Sequence, residues 1–212
     1  MLLKSFFKKH SHLFLLSYLP IYLSLFILVE QVNRRDYFVS YLPLDDYIPF
    51  IPIFVVPYVL WYPYMLVSAV LLLIKDIPAF KRFMYYTITA MSVSLLICFL
   101  FPNGQNLRIA EFSNTNLFTN LVSAIYSADT NTNVLPSMHV VGSLGVIFAA
   151  FDSKIFKRTK IFFLILGILI CASTVFIKQH SILDVFAGVL LAAVTSIFVY
   201  VLPKRMFIKN KV

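Results

Sequence analysis

Apolar stretches long enough to cross a lipid bilayer recur along this chain, and they fix its class before any other feature is weighed. Sixty per cent of the 212 residues are hydrophobic, 13% are charged and the mean hydropathy is +0.88, so a soluble fold of this size has no interior large enough to hide them. In hydrocarbon every backbone N–H and C=O has to be paired inside a helix or a closed barrel. The apolar runs are continuous and lack the alternation of barrel strands, which leaves helices. A bilayer core takes about 20 apolar residues per helix. On that measure six spans are expected, at residues 13–29, 49–74, 83–101, 135–151, 161–177 and 182–202. Pro49, Pro52, Pro57 and Pro63 crowd the second, where a kink or a preceding interfacial segment is expected. The expected fold is therefore all-α: a polytopic six-transmembrane-helix bundle forming one membrane domain over residues 1–212.

Charge gives an independent test of that count. Six spans put both termini on one side, and 14 of the 18 Lys and Arg residues then fall on the side of the termini. These are Lys4, Lys8, Lys9, Lys75, Lys81, Arg82, Lys154, Lys157, Arg158, Lys160, Lys204, Arg205, Lys209 and Lys211; Arg34, Arg35, Arg108 and Lys178 fall on the other. Such an excess marks the cytoplasmic face, so both termini are expected there. The net charge of +9 is then a topology signal with some attraction to anionic lipid, and no nucleic-acid partner is implied. Lys4, Lys8 and Lys9 before an apolar run resemble a secretion signal, but no small-residue cleavage site follows, and the run reads as an uncleaved first span. Residues 102–134 form the long outer connection, rich in Asn, Thr and Ser, and are expected to be a polar loop. Cys98 and Cys171 lie in apolar stretches and imply neither a disulfide nor a metal site. Abundant Lys, Asn, Ile and Phe suggest an A·T-rich genome, hence a bacterial cell membrane.

Four polar residues stand out, and the topology brings them all to the outer face: Arg108 after the third span, His139 at the start of the fourth, and His180 and Asp184 at the start of the sixth. His180 and Asp184 are i and i+4, one helical turn apart on one face. An Asp so placed accepts the Nδ1 proton of the imidazole, fixes the tautomer and leaves Nε2 free as a nucleophile. His139 is then available to protonate a leaving oxygen. Arg108 and Lys178, with the N-termini of the fourth and sixth spans, supply positive potential for a phosphate. Each residue also has an ordinary reading. Ser181 and Asp184 fit a capping box, Ser137 after Pro136 fits an N-cap, Lys178 fits a snorkelling end residue, Arg108 a loop cation, His139 an interhelical hydrogen-bonding group, and His10 and His12 interfacial residues. A membrane-depth Asp beside a His is costly enough that the joint functional reading is preferred.

At these residues the chain resembles the type 2 phosphatidate phosphatase superfamily, whose three motifs run Lys-x6-Arg-Pro, Pro-Ser-Gly-His and Ser-Arg-x5-His-x3-Asp. Here the first is reduced to Arg108, with Phe101 at the Lys position and Ile109 at the Pro position; the second is Pro136-Ser137-Met138-His139; the third is Ser173-Thr174, five residues, His180 and Asp184. Met138 and Thr174 replace a Gly and an Arg. The second and third motifs, and the segment from Leu44 to Pro52, look more like the branch related to inositol-phosphorylceramide synthases. The resemblance covers residues 45–191.

It implies a site in which His180 attacks phosphorus, Asp184 orients it, His139 acts as acid, and Arg108, Ser137, Lys178 and Ser173 hold phosphate oxygens, with no metal and no other cofactor. The expected function is hydrolysis of a lipid phosphomonoester or a polyprenyl diphosphate at the outer face. Transfer of a phosphorylated headgroup to another lipid is the alternative within the family, and a non-enzymatic transporter or scaffold is the alternative outside it.

Overall fold

The computed structural model describes residues 11–32 and 36–202, and the chain is mostly helical. Lys4, Lys8, Lys9, Arg34, Arg35, Lys204, Arg205, Lys209 and Lys211, used above to orient the chain, lie outside the described residues, as does His10. Helix α1 (Tyr18–Val32) continues a 3-10 segment at Ser11–Ser17. It is followed by α2 (Val55–Lys75), α3 (Ile77–Leu100), α4 (Leu117–Ala128), α5 (Met138–Asp152), α6 (Lys160–Phe176) and α7 (Ile182–Ser196), the last running on as a π-helical turn at Ile197–Val201. Two short strands, β1 (Phe38–Val39) and β2 (Asn103–Gly104), pair in parallel with Phe38 opposite Asn103.

Every expected span contains a helix. Among the described residues, four helical stretches are long and apolar enough to cross a membrane, Ser11–Val32, Pro52–Lys75, Ile77–Leu100 and Ile182–Val201, as in an integral membrane protein. Met138–Asp152 and Lys160–Phe176 are shorter. The shortness of α5 goes with its place at the centre, packed against α2, α3, α6 and α7. Gly142, Gly145, Ala149 and Ala150 keep its surface thin there. By contrast α1 leans on α3 from outside, and only 6% of its apolar window is buried.

Three details depart from the expectation. Helix α3 starts at Ile77, six residues before the predicted 83, because Lys81 and Arg82 interrupt the apolar run without interrupting the helix. Asp76 caps it by accepting the Ala79 N–H at 3.1 Å, and Arg82 is paired with Asp152 at 2.6 Å. The proline-rich stretch forms 3-10 turns at Pro43–Asp46 and Pro52–Phe54 before α2, which tolerates Pro63 inside it. The largest departure is α4, which occupies part of the connection expected to be a polar loop. Asn116 caps it, accepting the Phe118 and Thr119 N–H groups at 2.9 and 3.1 Å. Phe118, Val122, Ile125 and Tyr126 recur at helical spacing and pack on Val55, Tyr58 and Ile177.

Candidate active site

The starts of α5 and α7 and the ends of α1 and α6 meet at one end of the bundle, and the chemistry-bearing residues gather there. Helix α7 opens with a complete capping box. The Ser181 hydroxyl accepts the Leu183 N–H at 3.1 Å, while Asp184 Oδ2 accepts the Ser181 N–H at 2.9 Å. The same Oδ2 lies 3.2 Å from His180 Nδ1. A carboxylate only accepts, so this contact puts the imidazole proton on Nδ1 and turns the Nε2 lone pair outward. The cap and the contact with His180 are therefore not alternatives at Asp184, which makes both. Its Oδ1 accepts the Ser40 hydroxyl, and neither Asp184 nor Ser40 has exposed surface. Ser40 is delivered by the strand pair, its N–H donating to the Gly104 carbonyl at 2.7 Å.

Asp45 fixes the same corner from the other side. Its Oδ1 accepts the Ile182 N–H at 2.8 Å and its Oδ2 the Ser181 hydroxyl at 2.6 Å. The loop before His180 turns through Lys178 in the left-handed region (φ 57°), and the Gln179 and His180 N–H groups both donate to the Thr174 carbonyl at 3.0 Å. Gln105 Nε2 and the Tyr126 hydroxyl donate to the carbonyls of Lys178 and Ile177 at 3.1 and 2.6 Å. His180 thus stands on a segment whose backbone is tied on both sides.

His139 faces it from the first turn of α5, with 6.1 Å between ring centroids. Its ring is stacked on Tyr58 at 4.3 Å and tilted against Trp61 at 4.5 Å. It is 9% exposed and its buried Nε2 has no hydrogen-bond partner among the described residues. Gly142, one turn on, lets Trp61 come this close, since a Cβ there would stand 3.0 Å from the indole. Ser137 N-caps α5 by position only; its buried hydroxyl bonds to nothing among the described residues, and its N–H donates to the Asp184 carbonyl at 3.1 Å. Gly188 permits that contact of α5 with α7, because a Cβ would sit 3.0 Å from the Ser137 carbonyl oxygen and from Val140.

Three sequence-predicted phosphate ligands are placed differently. Arg108 donates through Nη1 to the carbonyls of Tyr126 and Asp129, both at 3.0 Å, and through Nη2 to that of Thr130, so it closes the end of α4. Three of its five donors are thereby occupied. Lys178 Nζ donates to the carbonyls of Asp45 and Ile48 at 2.9 and 2.6 Å, and the Ser173 hydroxyl to that of Ile170 at 2.6 Å. None of the three lines the cavity in front of the histidines.

That cavity holds about 350 Å³ and runs from His139 and His180 out between α1 and α2 to Leu23 and Tyr62, which are 50% and 60% exposed on the flank of the bundle. Glu30 and Asp129 supply its carboxylates. Burial raises the Asp129 carboxyl pKa, with Glu30 adding to the effect and His180 and Arg108 opposing it.

The geometry is thus two histidines on one cavity, one of them backed by a buried carboxylate, with Arg108 turned away to the end of α4. The chain matches the PAP2 superfamily over residues 10–207. It belongs to that superfamily. No curated protein and no solved structure matches the chain. PAP2 members are in general phosphatases and phosphotransferases, and the match includes Arg108, the segment 136–139 and the segment 173–184. Ser40, Asp45, Glu30 and Asp129 lie outside those PAP2 motifs. Asp45 stands in the segment before the second span whose likeness to one branch was noted, and Glu30 was legible as an acid at a span's edge. Nothing local marks Ser40.

Proposed function

We propose that this protein is a lipid phosphate phosphohydrolase working through a phosphohistidine. The observation that carries the reading is the His180 Nδ1 contact with buried Asp184, set opposite a His139 that has no hydrogen bond of its own among the described residues. In the first step Nε2 of His180 attacks phosphorus while the bond from phosphorus to the leaving oxygen breaks. His139 gives that oxygen its proton. Asp184 stabilises the positive charge that develops on His180, as a buried carboxylate does for a catalytic imidazole. Water, deprotonated by His139, then attacks phosphorus and breaks the P–N bond, which restores both histidines and releases phosphate. The Ser137 hydroxyl, without a partner among the described residues, and the first-turn N–H groups of α5 receive the phosphate oxygens. Among the described residues Arg108 keeps Nε–H and one Nη2–H uncommitted, and it adds positive potential from behind the cavity wall.

Two arguments support six spans with both termini in the cytoplasm and the site outside. Lys75, Lys81, Arg82, Lys154, Lys157, Arg158 and Lys160 cluster at the opposite end from the histidines, and the helices alternate in direction between the two ends. The substrate reaches the site from the lipid, through the opening between α1 and α2.

The test is hydrolysis by the purified protein of a panel of lipid phosphates, with a search for an acid-labile phosphoenzyme. His180→Ala is expected to abolish both turnover and labelling. His139→Ala is expected to lower turnover by about 10²- to 10⁴-fold, the usual contribution of a general acid. Unchanged turnover in either variant would falsify the assignment. A cavity larger than a phosphate also favours a second reading, resolution of the phosphohistidine by an alcohol, which appears as a new lipid when acceptor alcohols are supplied.

A further inference from the structure

Hydrolysis of a bare phosphate leaves the charge of the cavity unexplained. Its lining holds Glu30 and Asp129 and, among the described residues, no Lys or Arg side chain. Among the described residues, Arg108 points into the carbonyls of Tyr126, Asp129 and Thr130. A phosphomonoester would bring about two further negative charges into a space of low dielectric already holding two carboxylates, where like charges repel. The rest of the lining is suited to a cation. Trp61 and Tyr62 meet edge to face at 5.2 Å, Tyr22 and Phe26 of α1 stand across the opening, and cations bind to such ring faces. Gln179 also lines the cavity, is 2% exposed, and among the described residues has neither carboxamide atom in a hydrogen bond of ordinary geometry although it lies beside the Tyr58 hydroxyl. A buried amide held open in this way is a group waiting for a ligand.

We propose that the cavity selects lipids whose phosphate carries an ammonium group, with Glu30 and Asp129 binding the cation, Trp61 and Tyr62 supplying ring faces, and Gln179 bonding the phosphate or its ester oxygen. This deepens the phosphohistidine reading and rests on it for the position of the phosphate, beside His180. The ammonium end then lies farther out, where its charge offsets the two carboxylates that a polyol headgroup would leave uncompensated. For such a diester, His180 Nε2 bonds to phosphorus as the bond to the lipid alkoxide breaks. The diacylglycerol leaves with the proton of His139, and water or an alcohol releases the phosphorylated ammonium headgroup.

Trp61 is the single tryptophan of the chain, so its fluorescence reports the cavity without any turnover. The full-length protein in detergent is titrated with phosphocholine, glycerol phosphate, inositol phosphate and inorganic phosphate. Phosphocholine is expected to give a saturable change, with half-saturation at a concentration at least tenfold lower than for the others. Glu30→Gln and Asp129→Asn are expected to remove that preference. A response to glycerol or inositol phosphate as strong as to phosphocholine, or none to phosphocholine, overturns the proposal in the wild type alone, whether or not the variants fold. A parallel assay in mixed vesicles compares phosphatidylcholine with phosphatidate. Faster phosphatidate turnover that depends on His180, and that rises in Glu30→Gln, removes the ammonium proposal and keeps the phosphohistidine. If no lipid is turned over and His180→Ala changes nothing, the phosphohistidine reading falls, and with it this one.

Discussion

At the scale of single residues the two histidines differ in what surrounds them. His180 has an acceptor locked on Nδ1, whereas His139 is held only by the faces of Tyr58 and Trp61. The first arrangement favours an imidazole that becomes positive, and the second leaves a ring nitrogen without a hydrogen bond among the described residues. Ser40 is the residue through which this asymmetry is set, since its hydroxyl holds Asp184 from the side away from His180. Replacing it with Ala removes a hydrogen bond to a charged group, worth about 1.5–3 kcal/mol. We expect Ser40→Ala to lower kcat by about 10- to 100-fold with little change in KM, and to shift the pH–rate profile. A fall in KM-controlled rates alone would argue against orientation through Asp184. Asp129 makes a prediction of the opposite kind. Burial raises its folded pKa, so its contribution to stability is full below the unfolded carboxyl value of about 3.9 and is lost as pH rises through the raised folded value. Asp129→Asn is therefore expected to unfold at a higher temperature than wild type at pH 7, with the difference closing towards pH 4. Equal melting temperatures at pH 7 would remove the claim that this acid is kept at a cost to the fold.

At the scale of elements, close approach of α5 and α7 is what joins the second motif to the third. Gly188→Val puts a Cβ against the Ser137 carbonyl oxygen, which cannot move aside as a flexible side chain would. Overpacking of this kind costs about 1–3 kcal/mol, and here it also separates His139 from His180. We expect a lower melting temperature together with a loss of activity larger than the lost stability explains; a variant that is destabilised yet fully active would show the helix separation to be uncritical. How much was legible before the structure follows the same line between local and distant. His139, His180 and Asp184 stood out because an apolar background makes polar residues conspicuous, and the i, i+4 spacing is a local relation. The charges of Arg108 and Lys178 were equally visible, but sequence does not say which oxygen a long side chain will reach, and both reach backbone carbonyls. Ser40 gains its role from a strand pair joining segments some sixty residues apart, which no local pattern encodes. Helix α4 was concealed by its own flanks, where Asn and Thr residues on either side diluted the stripe of Phe118, Val122, Ile125 and Tyr126.

At the scale of the whole molecule, the proposed orientation is checked by labelling. Asn114→Cys, in the connection at the histidine end, is expected to react with a membrane-impermeant maleimide applied to intact cells. Lys157→Cys, at the opposite end, is expected to react only after lysis; the reverse pattern would invert the protein and put the site in the cytoplasm. The thin contact of α1 with the rest of the bundle has a consequence for how such an enzyme is measured. The cavity opens sideways between α1 and α2, and on the proposed function the substrate is met in two dimensions. Its rate should then follow the mole fraction of substrate in a micelle or vesicle, and diluting the whole mixture with buffer should leave the turnover of each protein molecule unchanged.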